Sequence, residues 1–253
     1  MNKQKKIVCV IPARLESVRF PRKIIAPIQG RPLLAWVWDA ATRCSIFSEV
    51  LFAIDSLESA AVIESFGGRY VMTSLSCKSG TDRLVELCTT EKISADIWVN
   101  WQGDEPFVNE TMIASLLATS TQADQEMWTL KKLITDPHEI NSPKVAKVVC
   151  NAQGQAIYFS RAPIPFFRDE QDPLKLVDKQ TYFKHVGLYA YTSQALHKIA
   201  AMGKSTLEDA EKLEQLRFLE YGLRIQVHET THDVFGIDTP EDLLRAERRI
   251  ANL

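Results

Sequence analysis

The chain has 253 residues, 45% of them hydrophobic and 25% charged, with a formal net charge of −2. That balance belongs to an ordinary globular protein and excludes a general polyanion-binding surface, nucleic acid included. No apolar run approaches about 18 residues, which excludes a membrane-spanning helix.

Strands and helices alternate through the first half. Residues 7–11 and 50–54 are apolar and rich in β-branched side chains, 70–73 and 97–100 are similar, and all four predict strands. Between the first two, Leu33, Leu34, Trp36, Val37 and Ala40 mark one face of a helix over 32–42. Helices are also predicted over 81–88 and 110–117, the latter capped by Asn109. This β-α-β-α order predicts a parallel sheet with helices on both faces. The second half predicts strands at 128–134, 144–150, 156–160 and 185–191, with few helices between them. A long helix is predicted over 207–221, ending at Gly222, followed by a strand over 224–229. The closing helix, 240–251, has Pro240 in its first turn and Asp238 or Thr239 as its cap. With no repeat, low-complexity segment or linker, the simplest organisation is one α/β domain over 1–253, with a mixed-sheet extension from roughly 140–225.

The apolar run after the basic residues 1–6 is too short for a signal-peptide core. The cysteines (Cys9, Cys44, Cys77, Cys88 and Cys150) are odd in number and form no C-x-x-C pair, so they read as reduced thiols, mostly buried. Both features predict a cytoplasmic protein. Two tempting motifs fail. His228-Glu229-Thr230-Thr231-His232 satisfies H-E-x-x-H, but its alternating, β-branched setting predicts a strand, on which the two imidazoles would stand roughly 13 Å apart. "MGKST" at 202–206 lacks the first glycine of a P-loop, since that position is Lys198. No G-x-G-x-x-G follows the first strand, so a dinucleotide site has no support.

Four segments carry chemistry. "VCVIPARLESVRFPRK" ends a strand and opens a loop with Arg14, Arg19, Arg22 and Lys23. Such a loop suits either solvent or a ligand past the carboxyl end of a strand, where Arg14 and Lys23 fit the oxygens of a triphosphate. "WVNWQGDEPFV" ends a buried strand in Gly103, which lets backbone come close to a ligand, and Asp104, either a turn residue or a magnesium ligand. "GIDTPEDL" places Asp238 where it caps a helix or, with Asp104, shares one metal. "KSGTDRLVEL" opens a helix with Ser79, Gly80 and Thr81 and sets Arg83 in its first turn, where a cation is unwelcome; a bound ligand, Asp82 or Glu86 would each account for it.

With these segments in view the chain resembles the 3-deoxy-manno-octulosonate (Kdo) cytidylyltransferases, almost end to end. "IPARLESVRFPRK", "MTSLSCKSGTDRL", "VNWQGDEPFV", "AIYFSRAPIPF", "KHVGLYAY", "LEQLRFLEYG" and "GIDTPEDL" carry the resemblance, in that order. It implies a nucleotidyltransferase fold, glycosyltransferase-A-like and three-layered, with a mixed, mainly parallel sheet. It also implies a homodimer that uses CTP and Mg²⁺ to convert Kdo into CMP-Kdo, releasing pyrophosphate, for lipopolysaccharide biosynthesis. Carried over, Pro12, Ala13, Arg14, Ser17, Lys23, Ser79 and Arg83 hold the nucleotide, and Gln102 and Asp104 lie at its α-phosphate. Asp104 and Asp238 bind the metal, and with Arg14 and Lys23 they form the catalytic set. Arg161, His185, Tyr189, Glu214 and Gln215 form the sugar-acid pocket, whose carboxylate and hydroxyls want such partners.

The chain departs from that family's pattern at Arg22, where Pro-Gly-Lys is usual, and at Ala190, where glycine is usual. Asp82 stands in "TDR" where "TER" is frequent. A frequent Thr-Asp-Asp is reduced here to Asp55, which receives no site role. The rival substrates are 8-amino-3,8-dideoxy-manno-octulosonate and N-acetylneuraminate; the rival of another class is a nucleotide-binding module without catalysis.

Overall fold

The computed structural model describes residues 5–16, 20–122, 124–233 and 235–251. The chain forms two compact units, Met1–Ile113 with Asp233–Leu253, and Ala114–His232. In the first, β1 (Ile7–Ala13) leads through one 3-10 turn (Lys23–Ile25) and a short hairpin, β2 (Pro27–Ile28) with β3 (Arg31–Pro32), into α1 (Leu33–Thr42). β4 (Glu49–Ile54), α2 (Leu57–Ser65), β5 (Tyr70–Met72), α3 (Gly80–Thr89) and β6 (Ile97–Asn100) follow. The four long strands run in the order β5-β4-β1-β6, all parallel. Val8 to Ile11 of β1 are wholly buried, as expected of a central parallel strand covered on both faces. Next comes α4 (Glu110–Leu116), whose cap is the expected Asn109: its Oδ1 accepts the Met112 N–H at 3.0 Å.

The second unit contains β7 (Met127–Leu133), α5 (Pro137–Asn141), β8 (Lys147–Cys150), β9 (Ala156–Ser160), α6 (Pro173–Asp178) and β10 (Phe183–Thr192). These are followed by α7 (Ser193–Ala200), α8 (Thr206–Glu211), α9 (Gln215–Glu220) and β11 (Ile225–Glu229). β7 lies between parallel β11 and antiparallel β10; β8 pairs with β10 and β9 with β8, both antiparallel. Trp128, Phe159, Tyr191 and Phe218 fill its interior. The Trp128 indole N–H meets Thr119 Oγ1 and Gln125 Oε1, each at 3.1 Å. The last helix, α10 (Pro240–Ile250), belongs to the first unit. The class is α/β with a mixed, mainly parallel sheet, as the alternation of elements predicts.

Two expectations change, and one choice between alternatives is decided. The helix over 207–221 is two helices, α8 and α9, because Lys212 takes a left-handed conformation (φ 52°). The carbonyls freed at that break are taken by Arg161, whose Nε donates to Glu211 O (2.7 Å) and Nη2 to Lys212 O (3.2 Å). The second half also holds more helix than expected, and α2 was not anticipated; its start is fixed by Ser56, whose Oγ accepts the Glu58 N–H at 3.1 Å. The cap of α10 is Thr239, in a capping box with Asp242, so the Asp238 carboxylate is not the capping group.

The discarded motifs stay discarded. His228 is on β11, its Nε2 3.0 Å from Thr119 Oγ1. Ser205 of "MGKST" caps α8. All five cysteines are free thiols, four of them buried.

Candidate active site

The first unit has a cleft of about 290 Å³ at the carboxyl ends of β1 and β6, where open α/β sheets take ligands. β1 and β6 pair with Val10 opposite Asn100, so the residues that follow, Pro12 and Gln102, emerge side by side. Gly103 is required here: a Cβ at that position would stand 2.9 Å from the Pro12 carbonyl oxygen. Gly80 at the start of α3 is equally confined, its Cβ position being 2.9 Å from Pro12 Cγ. Three chain segments thus meet at Pro12 with no room for a side chain between them.

Seven of the nine expected nucleotide residues line this cleft: Pro12, Arg14, Lys23, Ser79, Arg83, Gln102 and Asp104. Ala13 is the buried last residue of β1, and Ser17 lies outside the described residues, as does Arg19. Asp238 lines the cleft too, brought there by the hydrogen bond from the Ile237 N–H to the Asp104 carbonyl (2.9 Å). Glu16 and Lys78 are lining residues that the sequence reading did not single out.

The cations of the opening loop divide. Arg14 is exposed and has no ion-pair partner among the described residues. Arg22, in the left-handed region at φ 60°, pairs with Glu58 and does not line the cleft. Lys23 reaches in: its Nζ donates to Asp104 Oδ2 and to Asp238 Oδ1, the latter at 2.7 Å. Burial opposes its charge, but the charge and hydrogen bond of Asp104, with those of Asp238, outweigh it and raise the Lys23 pKa.

These contacts test whether a divalent ion fits. Two carboxylates 134 residues of sequence apart touch a single cationic atom, so one small cation lies within reach of both. Among the described residues no group of three or more His, Cys, Asp or Glu is placed to hold a metal. Mg²⁺ is usually held by one or two carboxylates with substrate phosphates completing its shell, and this pair fits that pattern. Burial, then repulsion from Asp104 and Asp238, push the neighbouring Glu105 carboxyl up to about 8, and its Oε2 is buried without a hydrogen-bond partner among the described residues.

Arg83 is 2% exposed, and its partner is neither Asp82 nor Glu86. Asp82 closes the capping box of α3 with Ser79, and Glu86 accepts the Ser74 N–H. Arg83 Nη2 instead donates to Asp55 Oδ2 at 2.7 Å and Nη1 to Thr73 Oγ1. Asp55, given no role from sequence, is therefore joined directly to a residue of the cleft.

The expected sugar residues all lie in the second unit. His185 and Tyr189 of β10 have ring centroids 5.3 Å apart, and the His185 ring meets Phe159 edge-on at 5.1 Å. Burial lowers the His185 pKa to about 3, so the imidazole is neutral, with Nε2 3.0 Å from Thr129 Oγ1. Burial, then the charges of Tyr191 and Glu214, raise the Tyr189 phenol. Glu214 precedes α9 and accepts from Arg217 Nη2 (3.2 Å); Gln215 opens α9, 5% exposed, with its Nε2 buried and without a hydrogen-bond partner among the described residues. Arg161 is more committed than expected. Besides the two carbonyls at the helix break, its Nη1 donates to Pro143 O (2.8 Å). Its own carbonyl accepts from Lys147 Nζ (2.7 Å), a wholly buried ammonium that also donates to Ser142 O and Val145 O.

Residues 8–225 match the cytidylyltransferase family. The chain is 43% identical over 251 residues to a 3-deoxy-manno-octulosonate cytidylyltransferase of Geobacter metallireducens, covering 97% of this chain and 98% of that one. It is 45% identical over 242 residues to its counterpart in Geobacter sulfurreducens, covering 94% and 96%. Among solved structures, a CMP:2-keto-3-deoxy-manno-octonic acid synthetase complexed with CTP superposes with a TM-score of 0.89 at 37% identity, covering 98% of this chain and 99% of that one. A 4-diphosphocytidyl-2C-methyl-D-erythritol synthase from Anaerococcus prevotii, 16% identical with a TM-score of 0.64 and covering 98% and 97%, shares the fold.

Proposed function

From the premise that this chain belongs to the cytidylyltransferase family, we propose that the cleft of its first unit holds CTP and that Asp104 and Asp238 share a Mg²⁺ ion there. The enzyme activates 3-deoxy-D-manno-octulosonate with CTP, giving CMP-Kdo and pyrophosphate. The anomeric hydroxyl oxygen bonds to the α-phosphorus, the bond from that phosphorus to the bridging oxygen breaks, and the hydroxyl proton leaves to a base, for which Asp238 is the residue assigned.

The observation that carries the site assignment is the contact of Lys23 Nζ with both carboxylates at the mouth of the two strands. Transfer of this kind needs positioning and charge neutralisation rather than a covalent intermediate. Arg14, without an ion-pair partner among the described residues, and Lys23, whose raised pKa keeps it charged at neutral pH, supply cations for the triphosphate. Gln102 and Asp104, which follow β6 into the cleft, are assigned to the α-phosphate, and Ser79 and Arg83 line the same cleft from the start of α3. Mg²⁺, when bound, contributes charge neutralisation and a lower pKa for the sugar hydroxyl. Arg161, His185, Tyr189, Glu214 and Gln215 are assigned to the sugar acid. The neutral His185 ring and the protonated Tyr189 offer hydrogen bonds rather than charge, and the Gln215 amide, without a partner among the described residues, suits a buried hydroxyl.

A homodimer and a cytoplasmic setting complete the reading. Ile157, Phe166 and Leu174 of the second unit are exposed apolar side chains suited to a second copy, and the free thiols suit a reducing compartment. Among the described residues no helix is long and apolar enough to cross a membrane. The test is pyrophosphate release with CTP against Kdo, 8-amino-3,8-dideoxy-manno-octulosonate and N-acetylneuraminate. Release with CTP and Kdo together is expected; brisk release with N-acetylneuraminate and none with Kdo would overturn the substrate assignment.

A further inference from the structure

We propose that Asp55 is a positioning residue of the nucleotide cleft, its two carboxylate oxygens holding the loop after β1 and the Arg83 guanidinium in fixed relation. Asp55 follows the last residue of β4, and β4 pairs in parallel with β1, with Ile54 opposite Ala13. Its carboxylate therefore stands beside the point where β1 ends and Arg14 begins the loop. Oδ1 accepts the Leu15 N–H at 3.3 Å, and Oδ2 accepts Arg83 Nη2 at 2.7 Å. Arg14 is thus bracketed, by Ala13 in the sheet on one side and by Leu15 tied to Asp55 on the other. The second oxygen decides where Arg83 lies. A guanidinium 2% exposed needs a counter-charge, and the Asp55 side chain, 8% exposed, is the one it has among the described residues. The far side of Arg83 is held by Thr73, whose own hydroxyl donates to Ile54 O at 2.9 Å. The network closes on the strand from which Asp55 emerges. One carboxylate thereby ties Arg83, which lines the cleft, to Leu15, which stands between the lining residues Arg14 and Glu16, while Asp55 itself does not line the cleft.

This inference rests on the reading that the cleft takes CTP. Asp55→Asn keeps an acceptor for Leu15 and nearly the same shape but removes the charge facing Arg83. In the full-length protein the KM for CTP is expected to rise ten- to thirtyfold, with kcat and the KM for Kdo each within threefold of the unsubstituted enzyme. A folded Asp55→Asn protein with an unchanged KM for CTP and a lowered Tm would reduce Asp55 to a stabilising ion pair and overturn the proposal. So would equal rises in both KM values. Amide hydrogen exchange on the unsubstituted, ligand-free protein gives a second reading that does not depend on the variant folding. The Leu15 N–H is expected to exchange at least tenfold more slowly than the Glu16 N–H, and equal rates at the two would overturn the brace. Failure of the underlying reading is told apart by the unsubstituted enzyme itself, which would then release no pyrophosphate from CTP and Kdo; that result removes the inference with it.

Discussion

Replacing Lys23 by methionine deletes the ammonium that Asp104 and Asp238 share while keeping most of the side-chain volume. The loss is worked from the contacts: two charge-assisted hydrogen bonds disappear and two carboxylates are left facing each other. Two like charges about 4 Å apart repel by about 4 kcal/mol at an effective dielectric of 20. The carboxylates are 22% and 33% exposed, so water screens part of this, and about 2–3 kcal/mol of destabilisation is expected. In a chain of this size that is a fall in Tm of about 5–10 °C. The assay is thermal unfolding in EDTA and across a Mg²⁺ titration without CTP. In EDTA, Lys23→Met melts well below the unsubstituted protein. Mg²⁺ then recovers most of the difference, because the divalent ion takes a place no longer held by the ammonium, whereas it moves the unsubstituted protein little. A variant that melts with the unsubstituted protein in EDTA, or equal Mg²⁺ shifts in both, would refute the idea that Lys23 occupies a cation site.

Asp104→Asn should leave a folded protein whose pyrophosphate release falls at least a hundredfold; near-normal turnover would remove Asp104 from the reaction. His185 has its pKa lowered by burial to about 3, so its imidazole NMR shifts should stay flat from pH 8 to about pH 4. The unfolded chain gains a proton near pH 6.5 that the folded state refuses. The neutral ring's contribution is therefore full above that pH and lost as pH falls toward 3, and His185→Gln should flatten this acid-side loss. Arg22→Gly relieves a left-handed residue while losing an exposed ion pair, and stability should stay within about 1 kcal/mol, with the KM for CTP within threefold. A tenfold rise in that KM would place Arg22 at the phosphates after all.

The parallel strands of the first unit were legible because their positions are nearly all apolar and β-branched, a signature of burial on both faces. The Asp104–Asp238 pair was legible because each follows a glycine or glycine-isoleucine at the end of an apolar segment, where chain turns and ligands meet. Asp55 was not. Its partner Arg83 is 28 residues away on another element, and nothing local distinguishes a carboxylate that braces a site from one that begins a turn. The break at Lys212 was equally hidden, since "EDAEKLEQLRFLE" is made of good helix formers apart from Asp209 and Phe218. There a tertiary contact, Arg161 on the released carbonyls, overrides local preference. Arg161 itself was expected to serve the sugar carboxylate, and only the structure displays how many of its donors the fold already uses.

The most direct measurement is Mn²⁺ binding followed by electron paramagnetic resonance, with CTP present, in the unsubstituted protein and in Asp104→Asn and Asp238→Asn. One protein-bound Mn²⁺ per chain is expected in the first and a loss of affinity of at least tenfold in each of the other two. Equal Mn²⁺ binding in all three proteins would contradict a cation shared by these carboxylates.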